Sequence, residues 1–132
     1  MRRLVAAVVV LVAAAACGGS GTPAAYELPT PPEGYALCIV SGPVDGRELL
    51  FQLTYLPVAG PGSLTVLGVR SDGDEAEFAA VSTGPGEPNV VAGRPGGGVE
   101  VRIVSFTLEE SELLRLATTL APLADVPDAQ CS

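Results

Sequence analysis

The side chains of this 132-residue chain that could do chemistry are few: cysteines at 17, 38 and 131, fifteen acids, seven arginines, and neither histidine nor lysine. Without an imidazole or a side-chain amine there is no Ser-His, Cys-His or Ser-Lys nucleophile pair, no Schiff base and no imidazole metal ligand. Two carboxylates would suffice for glycoside or aspartic-protease chemistry. Asp45-Gly46 and Asp72-Gly73, however, lack the Asp-Thr/Ser-Gly form of the protease motif, and no tryptophan is available to stack a sugar. The expectation is a protein that is not an enzyme and uses no cofactor.

The acidic turn Asp72-Gly73-Asp74-Glu75, with Glu77 following, comes nearest to a specific site. Alternating carboxylates around a glycine can wrap a hard cation such as Ca²⁺, but a full loop needs six or more oxygens, and the EF-hand spacing is not met. A solvated hairpin turn accounts for the same residues. The expected metal set is therefore none, with Asp72, Asp74 and Glu75 as the nearest candidates. Arg94-Pro95-Gly96-Gly97-Gly98 lacks the Gly-Lys-Ser/Thr ending of a phosphate loop and reads as a hairpin connection.

The cysteines are odd in number, and residues 1–17 offer a use for the odd one. Arg2 and Arg3 form a positive end, and the apolar run 4–16 is short of the roughly 20 residues a spanning helix requires. The small residues Ala14-Ala15-Ala16 then precede Cys17. Residues 14–17 resemble the lipobox of bacterial lipoproteins, with Ala14 where that family most often has leucine. The resemblance implies that 1–16 is a signal peptide, that Cys17 receives a diacylglyceryl group and becomes the new N-terminus, and that it is acylated again. Two or more buried acyl chains, each CH₂ contributing about 0.8 kcal/mol, would anchor the chain stably. The other reading of the same residues is ordinary cleavage after an Ala-x-Ala site, leaving Cys17 as a free thiol. The wealth of Ala, Gly, Pro, Val and Arg beside an absence of lysine follows codons rich in G and C. With the lipobox, this resembles a lipoprotein of a high-GC bacterium such as an actinobacterium, anchored on the outer face of the cell membrane.

Lipid on Cys17 leaves Cys38 and Cys131 as an even pair, which an oxidising compartment would join. Closing a loop of that size contributes about 4 to 5 kcal/mol in the chain-entropy picture. The alternatives, metal binding or catalysis, lack a histidine partner. Charge narrows the partners further. The full chain carries −8, and removal of Arg2 and Arg3 leaves five arginines against fifteen acids, a net charge of −10. Such a surface repels phosphate backbones and anionic headgroups, so no nucleic-acid partner is expected, and the lipid must hold the chain at the membrane.

The elements that would position these groups follow from punctuation and period. Residues 17–34 (GGSGTPAAYELPTPPEG after the cysteine) are rich in Gly and Pro and show no hydrophobic period, so they read as a tether. It would span about 20 to 25 Å on average and about 55 Å at full stretch. Pro29-Thr30-Pro31-Pro32 could instead serve as a polyproline ligand. Residues 35–132 then form one extracytoplasmic domain. Short apolar runs at 36–40, 48–56, 63–70, 75–82, 89–92 and 99–106, separated by Gly/Pro/Asp turns, predict strands of an antiparallel sheet. Leu49, Phe51, Leu53 and Tyr55 share one face. Thr107-Leu108-Glu109-Glu110 fits a capping box for a C-terminal helix whose stripe is Leu113, Leu116, Ala117 and Leu120, with Pro122 as its stop. The fold class is α+β: a small antiparallel sheet of five to six strands with one amphipathic helix on its apolar face.

Two functions fit such a domain. One is a non-catalytic interaction module for an envelope protein partner, using an exposed sheet face or edge; Leu50, Leu56, Leu67 and Val69 fall where alternation would place polar residues. The other is a binder of a small apolar ligand or lipid, which predicts a cavity between the sheet and the Leu113 to Leu120 stripe.

Overall fold

Alternation of apolar and polar residues makes each run a strand with one face to bury, and six such runs find one another. The structure, a computed structural model, describes residues 23–43 and 48–131. Strands β2 (Tyr35–Ser41), β3 (Leu49–Pro57), β4 (Leu64–Arg70), β5 (Ala76–Val81), β6 (Asn89–Gly96) and β7 (Val99–Ser105) form an antiparallel sheet in the order β2-β3-β4-β7-β6-β5. β1 (Ala25–Glu27) and β8 (Ala121–Leu123) pair as a separate two-stranded ribbon, and helix α1 spans Glu110–Ala117. The α+β expectation holds, and all six expected strands are present.

The strand order explains two sequence features at once. β7 inserts between β4 and β6, so the chain leaving β4 must cross two strand ends to begin β5. Three interstrand steps are about 14 Å, within reach of five extended residues. Residues 71–75, expected as a hairpin turn, are this crossover. They pass the β6–β7 hairpin: the Ser71 N–H donates to Gly98 O at 2.9 Å, and Arg94 Nε donates to Asp74 O at 2.6 Å. Gly96, Gly97 and Gly98 all have positive φ, and a Cβ on Gly96 would lie 2.8 Å from the Glu75 carboxylate. Glycine is therefore required where the crossover and the hairpin meet.

One face of the sheet is the core. A row running Leu53, Val66, Ile103, Val91 across β3, β4, β7 and β6 is fully buried. The next row runs Phe51, Gly68, Val101, Gly93, with the Phe51 ring over Gly68 and the Phe78 ring over Gly93. Two elements cover this face. α1 packs on β5, β6 and β7, and β1 packs on β3 and β4.

That second cover departs from the tether reading at residues 25–28, within the 17–34 segment. Ala25 and Leu28 are buried, Tyr26 packs on Phe51 with ring centroids 6.3 Å apart, and the Leu28 N–H donates to the buried Tyr55 hydroxyl at 3.0 Å. Three residues are too few to display a period, and the surrounding prolines and glycines masked them. Burial raises the Tyr55 phenol above its ordinary value; the Leu28 hydrogen bond offsets part of this, and the Glu27 charge adds to it.

Other details also depart from expectation. In β3, Leu49 pairs with Val69 and Phe51 with the adjacent Gly68, so a bulge at Leu50 shifts the alternation. Leu50 therefore packs against the core, while Leu49 falls on the outer face with Val69. The capping box does not form: the N-cap is Glu109, without a side-chain cap. The buried Ser105 hydroxyl takes that role one turn earlier. It accepts from the N–H groups of Thr107 and Leu108 at 3.1 and 3.0 Å and donates to Ser63 O at 2.7 Å. The Thr107 hydroxyl instead lies 3.3 Å from Ser105 Oγ. Nor does Pro122 stop the helix. Thr118 and Thr119 donate their hydroxyls to Arg115 O and Leu116 O, and Pro122 lies in β8 opposite Tyr26. Leu113, Leu116 and Ala117 are buried as the stripe requires, with Leu120 partly buried beyond the helix end.

Candidate interaction surface

Cys38 and Cys131 are joined, their Cα atoms 4.7 Å apart. Local structure explains why Cys38 can reach. Leu37 pairs with Tyr55 and Ile39 with the adjacent Thr54, so Cys38 is the extra residue of a bulge, which re-aims a side chain. The tail is held in the same place by the Gln130 N–H, which donates to Leu37 O at 2.7 Å. Farther along, Val126 approaches Gly42. The C-terminal segment therefore runs along the outer edge of β2 and covers it. Residues 1–16 and Cys17 lie outside the described residues, as do positions 44–47 and 132.

The carboxylates of Asp72, Asp74 and Glu75 are exposed along the crossover and do not converge. Gly73 N–H is taken by Ser71 Oγ at 3.1 Å, and Arg94 is bound to the Asp74 carbonyl, not to its carboxylate. Among the described residues no group of three His, Cys, Asp or Glu side chains could hold a metal. The acidic turn and the Arg94–Gly98 hairpin, two separate motifs in the sequence, instead bind each other.

Of the place expected for a ligand cavity, the part beneath Leu113 and Leu116 is filled. Leu113 and Leu116 are at most 1% exposed and share one core cluster with Val91, Val101 and Ile103, each fully buried.

The sheet's outer face carries a row of β-branched residues across all six strands: Ile39, Thr54, Thr65, Val104, Val90, Val81. Ile39 and Val81, at the two ends, are 49% and 40% exposed, while Thr54 near the centre is 7% exposed and shares a 3.0 Å hydroxyl contact with Thr65. Beside this row lie Leu67 and Val69, half-buried, and an ionic cluster in which Glu100 bridges Arg102 at 2.6 Å and Arg94 at 3.7 Å. Among the described residues no element packs on this face. Of the four leucine and valine positions expected there, Leu56, Leu67 and Val69 are placed on it, and Leu50 is not.

β5 is the second open feature. It pairs with β6 alone, and every residue in it except Phe78 is exposed. Between β5 and α1 lies an open groove of about 460 Å³, lined by Glu77, Phe78, Leu114, Ala117 and Thr118. A separate concavity of about 790 Å³ lies past the end of β5, with Glu87, Glu109 and Glu110 in its wall. Sequence reading missed this groove because it is made by Phe78 and Leu114, which are 36 positions apart and meet only through the strand order. No protein-family model matches this chain, and no curated protein or solved structure does either.

Proposed function

We propose that this chain is an extracytoplasmic lipoprotein, held on the outer face of the cell membrane by acyl chains on Cys17, whose domain is a non-catalytic interaction module for an envelope protein. The observation that supports the anchor is cysteine parity: Cys38 and Cys131 are joined to each other, so of three cysteines only Cys17, at the end of the lipobox-like segment, has no thiol partner within the chain. The module reading draws its support from the outer sheet face, where exposed Ile39 and half-buried Leu67, Val69 and Val104 present apolar surface on which no helix or strand packs among the described residues. An apolar-ligand carrier has less support: Leu113 and Leu116 fill the space beneath the helix, and the groove between β5 and α1 is open, not enclosed.

Two measurements test this reading. Cys17→Ser should release the protein to the medium or leave it unprocessed, as read by fractionation and intact mass; normal processing with unchanged membrane retention would overturn the anchor. Photo-crosslinkers placed singly at Ile39, Leu67 and Ala79 in intact cells should each report whether a discrete partner band forms. Absence of any discrete band from all three positions would overturn the interaction module.

A further inference from the structure

We infer that the β5 edge is a strand-addition site, and that its occupant is an extended segment of a partner protein: apolar at alternate positions and flanked by basic residues at both ends. The inference rests on the interaction-module reading and names the partner's chemistry.

The two edges of the sheet are treated differently. The β2 edge is closed by the C-terminal segment, through the Gln130 to Leu37 hydrogen bond and the Cys38–Cys131 link. β5 has no such cover among the described residues and pairs only with β6. Natural sheets blunt an open edge with lysine, proline or inward charge. The β5 sequence, Ala-Glu-Phe-Ala-Ala-Val, has one charge, Glu77, and small residues at 76, 79 and 80 that let another backbone approach. Its register shift falls between Ala76 and Ala79, so Ala79 to Val81 is the straight part that can accept a ladder.

Main-chain pairing alone would take any strand, and specificity in strand addition comes from pockets for alternate side chains. The groove between β5 and α1 supplies one: Phe78, Leu114 and Ala117 give it an apolar wall on the side of the sheet that an added strand would extend. Charge selects further. One end of β5 carries Asp74, Glu75 and Glu77, and the other opens onto Glu87, Glu109 and Glu110. No ion pair among the described residues involves Glu77, whereas Arg94, Arg102 and Arg115 are paired with Glu100 or Glu112. An incoming strand is therefore met by carboxylates at both ends, with Arg94, already paired with Glu100, beside Glu75 and Glu77 at one of them, and by an apolar notch between. A second copy, with its own net charge of −10 after loss of residues 1–16, is the less complementary occupant.

The test uses the chain extracted from membranes in detergent and two synthetic nine-residue probes that alternate valine and threonine, one with arginine at both ends and one with glutamate. Amide spectra should shift at Ala79 to Val81, Leu114 and Thr118 on adding the arginine probe, which should bind at least ten-fold more tightly than the glutamate probe. Glu77→Arg should reduce that preference at least three-fold while leaving the melting temperature unchanged. Equal binding of the two probes, no shift at millimolar probe, or shifts confined to the outer face would overturn the assignment. So would a dimer in sedimentation that excludes the probe, since it would make a second copy the occupant. In cells, discrete crosslinks from Ile39 or Leu67 with none from Ala79 would leave the interaction module standing and remove this site.

Discussion

The row Phe51, Gly68, Val101, Gly93, Phe78 makes a quantitative prediction about Gly68. A Cβ built there would sit 2.2, 2.8 and 2.9 Å from three carbons of the Phe51 ring, where carbon contacts are comfortable at about 3.5 to 4.0 Å. Relief requires the ring to move by over an ångström. Phe51 is 1% exposed and is packed from above by Tyr26, so it has nowhere to go without displacing the β1 ribbon. Overpacking of this kind costs about 1–3 kcal/mol. Against it stands a gain of about 0.4–1 kcal/mol, because alanine restricts the unfolded chain. Gly68→Ala should therefore destabilise by about 1.5 kcal/mol, lowering the melting temperature by about 6–12 °C for a domain of this size. Gly42→Ala is the control: its nearest neighbour would be Val126 at 3.8 Å, an ordinary contact, so only the unfolded-state gain should remain. Calorimetry on both variants, on Phe51→Leu and on the Gly68→Ala/Phe51→Leu double variant completes the assay. The shorter leucine should recover at least about 1 kcal/mol of the Gly68→Ala loss as coupling between neighbours. A Gly68→Ala variant as stable as the parent, or strict additivity in the cycle, would refute the claim that the ring occupies the alanine's place.

Three further outcomes follow from the same structure. Reducing the Cys38–Cys131 link, or Cys38→Ala with Cys131→Ala, should lower stability by about 4.7 kcal/mol, the chain-entropy value for a loop closed across a separation of 93 residues; urea titration with and without reductant measures it. Ser105→Ala should cost about 2–3 kcal/mol in the same titration, because it strands the N–H groups of Thr107 and Leu108 and the Ser63 carbonyl together. Burial holds the Tyr55 and Tyr26 phenols above their ordinary value near 10, so the neutral forms favour the folded state. Their contribution is complete below about pH 10 and is lost as the pH climbs through the folded-state values. Melting temperatures should thus fall between pH 9 and 11, and less steeply in Tyr55→Phe; a pH-independent parent would contradict the burial.

Period and punctuation located five of the six sheet strands within one residue at each end, because which face a residue occupies is a local property of the pleat; β6 runs four residues past the expected 89–92, to Gly96, and the short strands β1 and β8 went unseen. The helix stripe was legible for the same reason, with Leu113, Leu116 and Ala117 buried as their spacing requires. What period cannot supply is who lies beside whom. Nothing local to residues 71–75 distinguishes a hairpin from a crossover, so the acidic turn looked like a possible metal loop, and its binding to Arg94 was invisible. The bulges at Cys38 and Leu50 are also set by partners, since an extra residue exists only relative to the strand opposite. The β5–α1 groove, built across that strand order, was hidden with it, whereas Leu56, Leu67 and Val69 on the outer face could be read from alternation.

The crossover also dictates how the molecule must assemble. β4 cannot find its neighbour β7 until some 35 intervening residues have been made and folded back, since Thr65 pairs with Val104 and Arg70 with Val99. β5, β6 and β7 can form a meander by local contacts, but that unit becomes part of the sheet only when β7 docks on β4 with residues 71–75 laid over its glycine hairpin. Such non-local pairing places folding in the millisecond-to-second range typical of all-β domains. Residues 130 and 131 dock in their turn, because Gln130 and Cys131 close the β2 edge. Until they dock, both edges of the sheet are open. The chain is therefore most prone to associate through its strand edges before residues 130 and 131 have docked.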